Sequence, residues 1–516
     1  MGACPVMDPD ELRQRNTQKA EEEAERGPTR SEPDAVPIGE AIEAFHARGD
    51  LVFGIPGHLA GRGAVVPDAV RWAGIEAFRA DVGMDKGIDT RHQSWKVEPT
   101  AMELFAQAVG ADQTLFSTGG SSQNVHIALL ATVAHGETIV MARNGHKSAF
   151  AGLVLSGARP VYVDPVYDDR WQLAHGVDPA ELKRALDVHP EARAVMVFTP
   201  TYYGFSSDVA ALADVAHAHD VPLLTDDAWG LDYCFSSRLP PSAMESGADL
   251  AIGSVHKTLT GLCQTSVLSV KGDRIDTDRL QLVVELEQST SASSLLLSSI
   301  DAARRQFQRD GERLLGGAID LAHRLRTSIE ALPGLDLVGD DIVGRPGVAA
   351  FDPTHVTFDV VGLGLTGFAA ADWLREHHGI HMELADHRRL MALVTFAHTD
   401  ADADRLVAAL TALVEDHRDA DRGHVPHVPD PAALRMETAV LPREAFLGRT
   451  EMVPWRQAAG RVSAEMICPY PPGIPVTAPG ERLTAEVVDY LQQLAAAGVM
   501  VEGAVDESLA QFRVVA

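Results

Sequence analysis

The chain has few cysteines for its length: among 516 residues only Cys4, Cys234, Cys263 and Cys468 occur, and they are widely spaced. No CxxC pair is present, and no histidine stands at zinc-finger spacing from a cysteine. We therefore expect neither a disulfide framework nor a structural zinc site, and no other metal site is predicted. The cysteine usage fits a reducing, cytoplasmic location.

Basic side chains and long apolar runs are also scarce. Lysine and arginine total 44 against 73 acidic residues, giving a formal net charge of −29. This balance repels phosphate backbones and anionic lipid and attracts a small cationic substrate, although acidic surfaces commonly serve solubility alone. No segment approaches the roughly 18 uninterrupted apolar residues of a membrane span, and the N-terminus lacks the apolar core of a signal peptide. We expect a soluble, unexported protein that binds neither nucleic acid nor membrane.

After a polar stretch of about 34 residues, short apolar runs alternate with helical patterns for some 250 residues. The runs are TLFS (114–117), ETIVMA (137–142), RPVYV (159–163), AVMVF (194–198), VPLLT (221–225) and DLAIGS (249–254). Between them lie amphipathic stretches such as 207–218, for which Ser207 is the predicted N-cap. Continuous apolar strands separated by helices predict an α/β domain with a mainly parallel sheet, and ligands of such sheets bind at the carboxyl ends of the strands.

Composition divides the chain into four parts. Residues 1–34 form a polar arm, 35–310 the large α/β domain, 311–420 a smaller α+β domain, and 421–516 a linker followed by a C-terminal domain. In the small domain the pattern predicts strands at 355–361, 381–386 and 390–396, and a helix at 368–379. No internal repeat is found.

Polar residues with chemical potential follow the predicted strands. The stretch FSTGGSSQN (116–124) opens a helix, and its small residues would let backbone N–H groups approach an anion at the helix N-terminus. An ordinary Gly/Ser turn has the same composition. The histidine of RNGHKS (143–148) is a possible stacking group or simply a capping or surface residue. The first stretch is thus a candidate phosphate-binding turn, and the second is a candidate source of a ring that stacks beside it.

Two more strand ends carry acidic and basic groups. In DDAWG (226–230) paired carboxylates suggest magnesium in a nucleotide hydrolase, but the chain has no GxxxxGK[ST] phosphate loop. An aspartate there could instead hold a protonated heterocyclic nitrogen. LAIGSVHKT (250–258) ends on Ser254, His256 and Lys257. Cradle, stacking ring, aspartate and amine are the four parts of a pyridoxal 5'-phosphate site, whereas Lys257 taken alone would be interpreted as a surface lysine.

The sequence resembles the ornithine/lysine/arginine decarboxylases, which depend on pyridoxal phosphate and share the aspartate-aminotransferase fold. The likeness covers most of the chain from about Pro37 onward. The matching segments are FGIPGHLAG (53–61), GADQTLFSTGGSSQNV (110–125), RNGHKSAFAGLVLSGARPVYV (143–163), TPTYYG (199–204), DDAWG (226–230), GADLAIGSVHKTLTGLCQTSVL (247–268) and CPYPPGIPVTAPGE (468–481). The resemblance implies fold type I, with a seven-stranded mainly parallel sheet in the large domain, a small α+β domain and a C-terminal domain, in a compact form without the receiver-like N-terminal domain of larger relatives.

The resemblance also implies roles for single residues. Lys257 would form the Schiff base with the cofactor, Asp226 would pair with its ring nitrogen, and His146 would stack on the ring. The remaining assignments are phosphate binding by Ser121, Ser122 and Ser254, packing beneath the ring by Ala228, and a position beside the reacting carbon for His256. Thr290 and Ser291 would come from a neighbouring subunit, which implies a homodimer or an assembly of dimers with the active site at the interface.

Substrate recognition is assigned to the small domain and to one aromatic residue. Glu383 matches a family glutamate and is the candidate partner of a cationic side chain, with Asp386 second, although Glu383 could equally lie on an exposed strand face. Trp229 stands where many compact relatives have histidine. The sequence also departs from the family at 290–294, which reads TSASS where a TSPSY-like run is usual, and in PGHLAG (56–61), which lacks the usual lysine.

The expected reaction is decarboxylation of a basic L-amino acid, arginine or lysine before ornithine, to CO2 and the corresponding amine. Two alternatives remain open. One keeps the cofactor but acts as an aminotransferase or an oxidative deaminase or decarboxylase, a diversion that the altered 290–294 loop could permit. The other is a catalytically silent regulatory homologue, against which the retention of Lys257, Asp226 and His146 argues.

Overall fold

The computed structural model describes residues 32–49, 53, 55–61, 67–84, 88, 96–418, 429–469, 473–496 and 499–516. The predicted arm therefore lies outside the described residues except for its last three positions, and so does most of the predicted linker. Among the helices within these ranges, none is long and apolar enough to cross a membrane.

A seven-stranded sheet forms the centre of the large domain. The strands of this region are β1 (Gln113–Ser117), β2 (Thr138–Ala142), β3 (Arg159–Val163), β4 (Tyr167–Asp168), β5 (Leu173–Ala174), β6 (Ala194–Phe198), β7 (Phe205–Ser206), β8 (Leu223–Asp226), β9 (Leu250–Ser254) and β10 (Ser266–Val270). The central sheet has the order β1-β10-β9-β8-β6-β2-β3. Strands β9, β8, β6, β2 and β3 pair in parallel, whereas β10 runs antiparallel to both its neighbours. The predicted α/β fold with a mainly parallel sheet is confirmed.

All six predicted apolar runs form strands of this sheet, but the seventh strand, β10, does not follow from an apolar pattern. Its serines interrupt the run, yet they are buried because they find partners in the sheet. Ser266 Oγ donates to the carbonyl of Gly253 at 2.8 Å, and Ser269 Oγ lies 2.9 Å from Thr114 Oγ1. Buried hydroxyls that are hydrogen-bonded in this way cost little, so a polar-looking segment can occupy the sheet interior.

Helices cover both faces of the sheet and extend into the smaller domains. They are α1 (Pro37–Arg48), α2 (Pro67–Ala73), α3 (Ile75–Ala80), α4 (Val97–Val109), α5 (Gly120–Thr132), α6 (Lys147–Ser156), α7 (Pro179–Val188), α8 (Val209–Ala218), α9 (Val255–Thr258), α10 (Thr277–Glu287), α11 (Ser294–Glu330), α12 (Gly367–His378), α13 (Asp400–Asp416), α14 (Pro442–Leu447) and α15 (Ala485–Ala496). The Ser207 N-cap predicted for α8 is wrong. Asp208 caps this helix, its Oδ1 accepting from the N–H of Ala211 at 3.0 Å, because β7 keeps the chain extended through Ser206.

Helix α11, 37 residues long, joins the large and small domains. Leu297 and Phe307 in its first half belong to the core of the large domain, whereas Leu321 and Leu325 near its end belong to the core of the small domain. The predicted domain boundary at 310 and 311 thus falls inside one continuous helix.

The small domain is built on the four-stranded antiparallel sheet β11-β13-β15-β14, with α12 and α13 packed on it. Its strands, with the short β12 that pairs with β7, are β11 (Asp336–Leu337), β12 (Ala350–Phe351), β13 (His355–Asp359), β14 (Leu384–Ala385) and β15 (Arg389–Leu393). The predicted strand at 381–386 is shorter than expected, which leaves Glu383 in a bend just before it. The C-terminal region adds α14, α15 and the strands β16 (Thr450–Pro454), β17 (Cys468–Pro469), β18 (Val501–Glu502) and β19 (Gln511–Val515).

Candidate active site

A cavity of about 690 Å³ opens where the central strands end. The sequence-predicted residues that line it are Ser121, Ser122, His146, Asp226, Ala228, Trp229, Ser254, His256, Lys257 and Glu383. They come from the last residues of β8 and β9, from the segments that directly follow β1, β2, β8 and β9, and from the small domain. The fold thus brings them to one edge of the sheet, as expected for parallel strands. Thr290 and Ser291 are not among the lining residues of this chain and lie in an exposed turn.

The wall after β1 forms an anion cradle. Helix α5 begins there without a side-chain cap, and Gly120 has a φ of +75°, a conformation that a residue with a side chain rarely adopts. Ser121 Oγ lies 2.6 Å from Ser254 Oγ and 2.9 Å from Ser266 Oγ, while Ser122 is exposed to the cavity. Uncapped helix N–H groups beside clustered hydroxyls suit a phosphate group.

Ser266 is a further cradle residue that the sequence pattern did not indicate, although it lies within the segment 247–268 that matches the family. Its hydroxyl bonds Ser121 and also accepts from the side-chain amide of Asn124 at 2.9 Å. The hydroxyl of Ser266 therefore links the start of α5, through Ser121 and Asn124, to β9, through the carbonyl of Gly253. A serine at the start of an unpredicted strand gave no local signal for this contact.

Asp226, the last residue of β8, provides the acidic wall. Its Oδ1 accepts from the N–H of Ala228 at 3.2 Å, and burial raises the pKa of the carboxyl group while the charge of Lys257 partly lowers it. The adjacent Asp227 does not line the cavity, and burial together with the charge of Asp226 raises its pKa well above the ordinary value. A buried carboxylate is stable only beside a positive partner, so Asp226 suits the protonated nitrogen of a heterocycle.

Lys257 reaches the cavity from the short helix α9, which starts directly after β9. Its Nζ lies 4.4 Å from the centroid of the Trp229 ring, within the range of a cation–π contact. Burial lowers the pKa of Lys257, whereas the charges of Asp226 and Glu383 raise it in part. A lowered pKa increases the fraction of free amine, which is the form that attacks a carbonyl group.

His146 combines the capping role and the cavity position that the sequence left open. It caps α6, its Nδ1 accepting from the N–H of Ser148 at 3.3 Å, and it also lines the cavity. Burial, followed by the charges of Lys257 and Lys147, lowers the pKa of His146 to about 4. The imidazole is therefore neutral near pH 7 and can stack on a flat ring without burying a charge.

His256 presents a defined tautomer. Its Nδ1 lies 2.9 Å from the carbonyl oxygen of Thr265, which can only accept, so Nδ1 carries the proton. The free Nε2 is then the ring atom that can exchange a proton with a molecule in the cavity.

The small domain closes the far side of the cavity. Glu383 lines it and also lines a second cavity of about 480 Å³, which shares Lys257 as well. Partial burial raises the pKa of Glu383, although the charge of Lys257 opposes the shift. The second candidate, Asp386, is not a lining residue of this cavity; its Oδ2 accepts from the hydroxyl of Tyr203 at 2.8 Å.

Two contributions to the site could not be seen in the sequence. Asp352 and His355 are fully buried, with 3.2 Å between Asp352 Oδ2 and His355 Nδ1, and the His355 ring meets the edge of Trp229 at a centroid distance of 5.7 Å. Ile474, from the C-terminal region, lines the cavity. Both depend on contacts between distant segments.

Comparisons with known proteins find similar proteins along nearly the whole chain. Residues 36–402 match the model of the Orn/Lys/Arg decarboxylase major domain, and residues 430–504 match the C-terminal domain of the same family. An arginine decarboxylase of Halalkalibacterium halodurans is 37% identical over 488 residues, covering 94% of this chain and 98% of that protein. An arginine decarboxylase of Bacillus subtilis is 35% identical over 485 residues, covering 93% and 97%. Among solved structures, the E. coli constitutive lysine decarboxylase matches with a TM-score of 0.78 at 21% identity, covering 100% of this chain and 88% of that chain.

Proposed function

Because the chain belongs to the Orn/Lys/Arg decarboxylase family, and is thus a pyridoxal-phosphate-dependent amino-acid decarboxylase acting on a basic amino acid, we propose that its substrate is L-arginine. The reaction would release the α-carboxylate as CO2 and leave agmatine. Support comes from the relatives named arginine decarboxylase, which are 37% and 35% identical along nearly the whole chain. The carrying observation is the single cavity that joins an anion cradle, Asp226 and Lys257 to the acidic side chain of Glu383.

The residues around the cavity fit pyridoxal phosphate. The hydroxyls of Ser121 and Ser254 and the uncapped start of α5 suit the phosphate, and the buried Asp226 suits the ring nitrogen. When bound, the cofactor supplies an electron sink for the pair left behind by the departing carboxylate. In this proposal Lys257 holds the cofactor aldehyde through Nζ, and the neutral His146 stacks on the ring.

The chain's own groups would then control protons and charge. Asp226 stays ionised beside a protonated ring nitrogen, since that proton neutralises a carboxylate that burial otherwise disfavours. His256, whose Nδ1–H is held by the carbonyl of Thr265, would return a proton to the α-carbon from Nε2 after that nitrogen has itself taken up a proton from solvent, and Lys257 is the other group able to supply the proton. Trp229, whose ring centroid lies 4.4 Å from Lys257 Nζ, would shield one side of the amine from water.

Glu383 would bind the guanidinium group. It lies on the small-domain side of the cavity, opposite the sheet edge that carries the cradle, and a guanidinium pairs well with a carboxylate. Its location at the border with the second cavity leaves room for a long side chain beyond it.

A screen of the purified protein with arginine, lysine and ornithine tests the substrate proposal. We expect equimolar CO2 and agmatine from arginine, with the highest kcat/KM of the three. A higher kcat/KM for lysine or ornithine would contradict it. Keto acid and peroxide are measured in parallel, because their formation in place of the amine would indicate the transaminating or oxidising alternatives.

We also propose that the protein acts as a homodimer. Thr290 and Ser291 lie in an exposed turn outside the cavity of their own chain. The helix before this turn, α10, exposes Leu282 and Leu286 one turn apart, with 67% and 76% of their surface accessible. An apolar stripe continuous with an exposed polar turn supports an interface that carries the turn to a second subunit. Mass measurement of the purified holoenzyme should give at least twice the chain mass.

A further inference from the structure

The segment 468–481, which matches the family and ends in Pro479-Gly480-Glu481 (the PGE motif), serves no step of the proposed reaction, yet it contacts the part of the chain that carries His146. Glu481 is 2% exposed at its side chain and forms two bonds with Arg143, at 3.2 Å from Nε to Oε1 and 3.1 Å from Nη2 to Oε2. Arg143 stands three residues before His146. A bidentate, buried pair of this kind fixes both position and orientation.

Arg143 is held on every side. Its Nη1 donates to the carbonyl of Pro475 at 2.7 Å, and its Nη2 donates to that of Val476 at 3.0 Å. The guanidinium also lies over the rings of Phe150 and Tyr162, at 4.9 and 5.2 Å from their centroids. The C-terminal region therefore supplies both the counter-charge and the acceptors for one arginine of the large domain.

The C-terminal region also forms hydrogen bonds with both ends of helix α6, which His146 caps. At the start, the N–H of Lys147 donates to the carbonyl of Gly473 at 3.1 Å, and Lys147 Nζ pairs with Glu502. At the end, Arg443 Nη1 donates to the carbonyl of Leu155 at 2.7 Å. The helix cannot shift without breaking contacts to the C-terminal domain.

From these contacts we propose that the C-terminal domain contributes to the active site. The Arg143–Glu481 pair positions the His146 ring against the cofactor, and Ile474 completes the cavity wall. The inference rests on the stacking role proposed above for His146. Arg143 and Glu481 touch neither cofactor nor substrate, so they are positioning residues. The motif PGE then matters because its glutamate reaches the loop after β2.

The test compares Glu481→Gln with Glu437→Gln as a matched control. Glu437 also pairs with an arginine, Arg482 at 3.2 Å, but that pair is exposed on the surface of the C-terminal domain. Measurements are the dissociation constant of pyridoxal phosphate from titration of the apoenzyme, the visible circular dichroism of the bound cofactor, and the melting temperature. Each variant is also made in a His146→Ala background.

We expect Glu481→Gln to weaken cofactor binding about tenfold and to reduce the dichroic band, and Glu437→Gln to leave both unchanged. In the His146→Ala background, Glu481→Gln should cause no more than about a twofold further loss, because two residues that act through one contact are not additive. Full additivity, or unchanged affinity in Glu481→Gln, would overturn the inference.

If Glu481→Gln does not fold, Arg443→Met, which loosens only the far end of α6, is taken through the same cycle and should give a smaller loss that also vanishes in the His146→Ala background. Additive behaviour of that variant counts against the inference too. Unchanged cofactor affinity in His146→Ala alone would refute both the stacking role and the inference. If His146→Ala weakens cofactor binding but the effect of Glu481→Gln or Arg443→Met simply adds to it, the inference is refuted and the proposed function still stands.

Discussion

Replacing Glu383 by glutamine should change which substrates the enzyme prefers more than how well it folds. A hydrogen bond to a charged group contributes about 1.5–3 kcal/mol. The side chain of Glu383 keeps substantial solvent exposure even though its carboxyl group is partly desolvated, which favours the lower half of that range. A loss of about 1.5–2 kcal/mol corresponds to a decrease of about 10- to 30-fold in kcat/KM for arginine. Citrulline has the same shape without the positive charge, so its kcat/KM should change by less than about threefold.

The assay is the ratio of kcat/KM for arginine to that for citrulline, measured as CO2 release across a pH series. Because partial burial raises the pKa of Glu383, its charged form is lost at a higher pH than for an ordinary glutamate. The ratio in the wild type should therefore fall as pH decreases through that pKa, and the Glu383→Gln ratio should stay flat. Glu376→Gln, an exposed glutamate on α12, is the control. An unchanged ratio in Glu383→Gln would refute the assignment.

Three further outcomes are expected. Lys257→Ala should abolish turnover and remove the visible absorption of lysine-bound cofactor; product formation at the native rate would contradict the role of this amine. Asp226→Asn should lower kcat by roughly 10²-fold or more, since one preorganised charge is removed from a buried site, while the fold, followed by far-ultraviolet circular dichroism, stays intact. Mixing Lys257→Ala protein with a Thr290→Ala, Ser291→Ala double variant should restore part of the activity through mixed dimers, whereas no recovery after confirmed subunit exchange would count against a shared site.

The sequence predicts the sheet well because the parallel strands are buried on both faces and read as continuous apolar runs. Lys257, Asp226, His146 and the cradle serines follow from that prediction, since parallel strands bring their carboxyl ends to one edge. The apolar pattern does not identify β10, because its serines are polar in the sequence although they are buried in the sheet. Their burial is allowed only by partners on neighbouring strands, such as Thr114.

Groups that reach the cavity from afar could not be predicted from local pattern. Ile474 and the Arg143–Glu481 pair join positions more than 300 residues apart. In the sequence, Asp352 and His355 have the pattern of an ordinary strand start. Their position behind Trp229 depends on how the small domain packs against the large domain. The family likeness includes Glu481 in the segment 468–481 without giving a physical purpose for it, and the purpose proposed above rests on its contacts with Arg143.

Helix α11 has a practical consequence for anyone dividing this protein into fragments. At 1.5 Å per residue its 37 residues span about 55 Å. They form one continuous helix whose two halves pack into two different hydrophobic cores. A fragment that stops at residue 310 would cut the helix and lose Leu315 and Ile319, which belong to the core of the large domain. A fragment that starts at residue 311 would lack the first half of the helix, which anchors the small domain to the large one. Each half would expose apolar surface, so we expect each to aggregate and the protein to express best with the two domains kept on one uninterrupted chain.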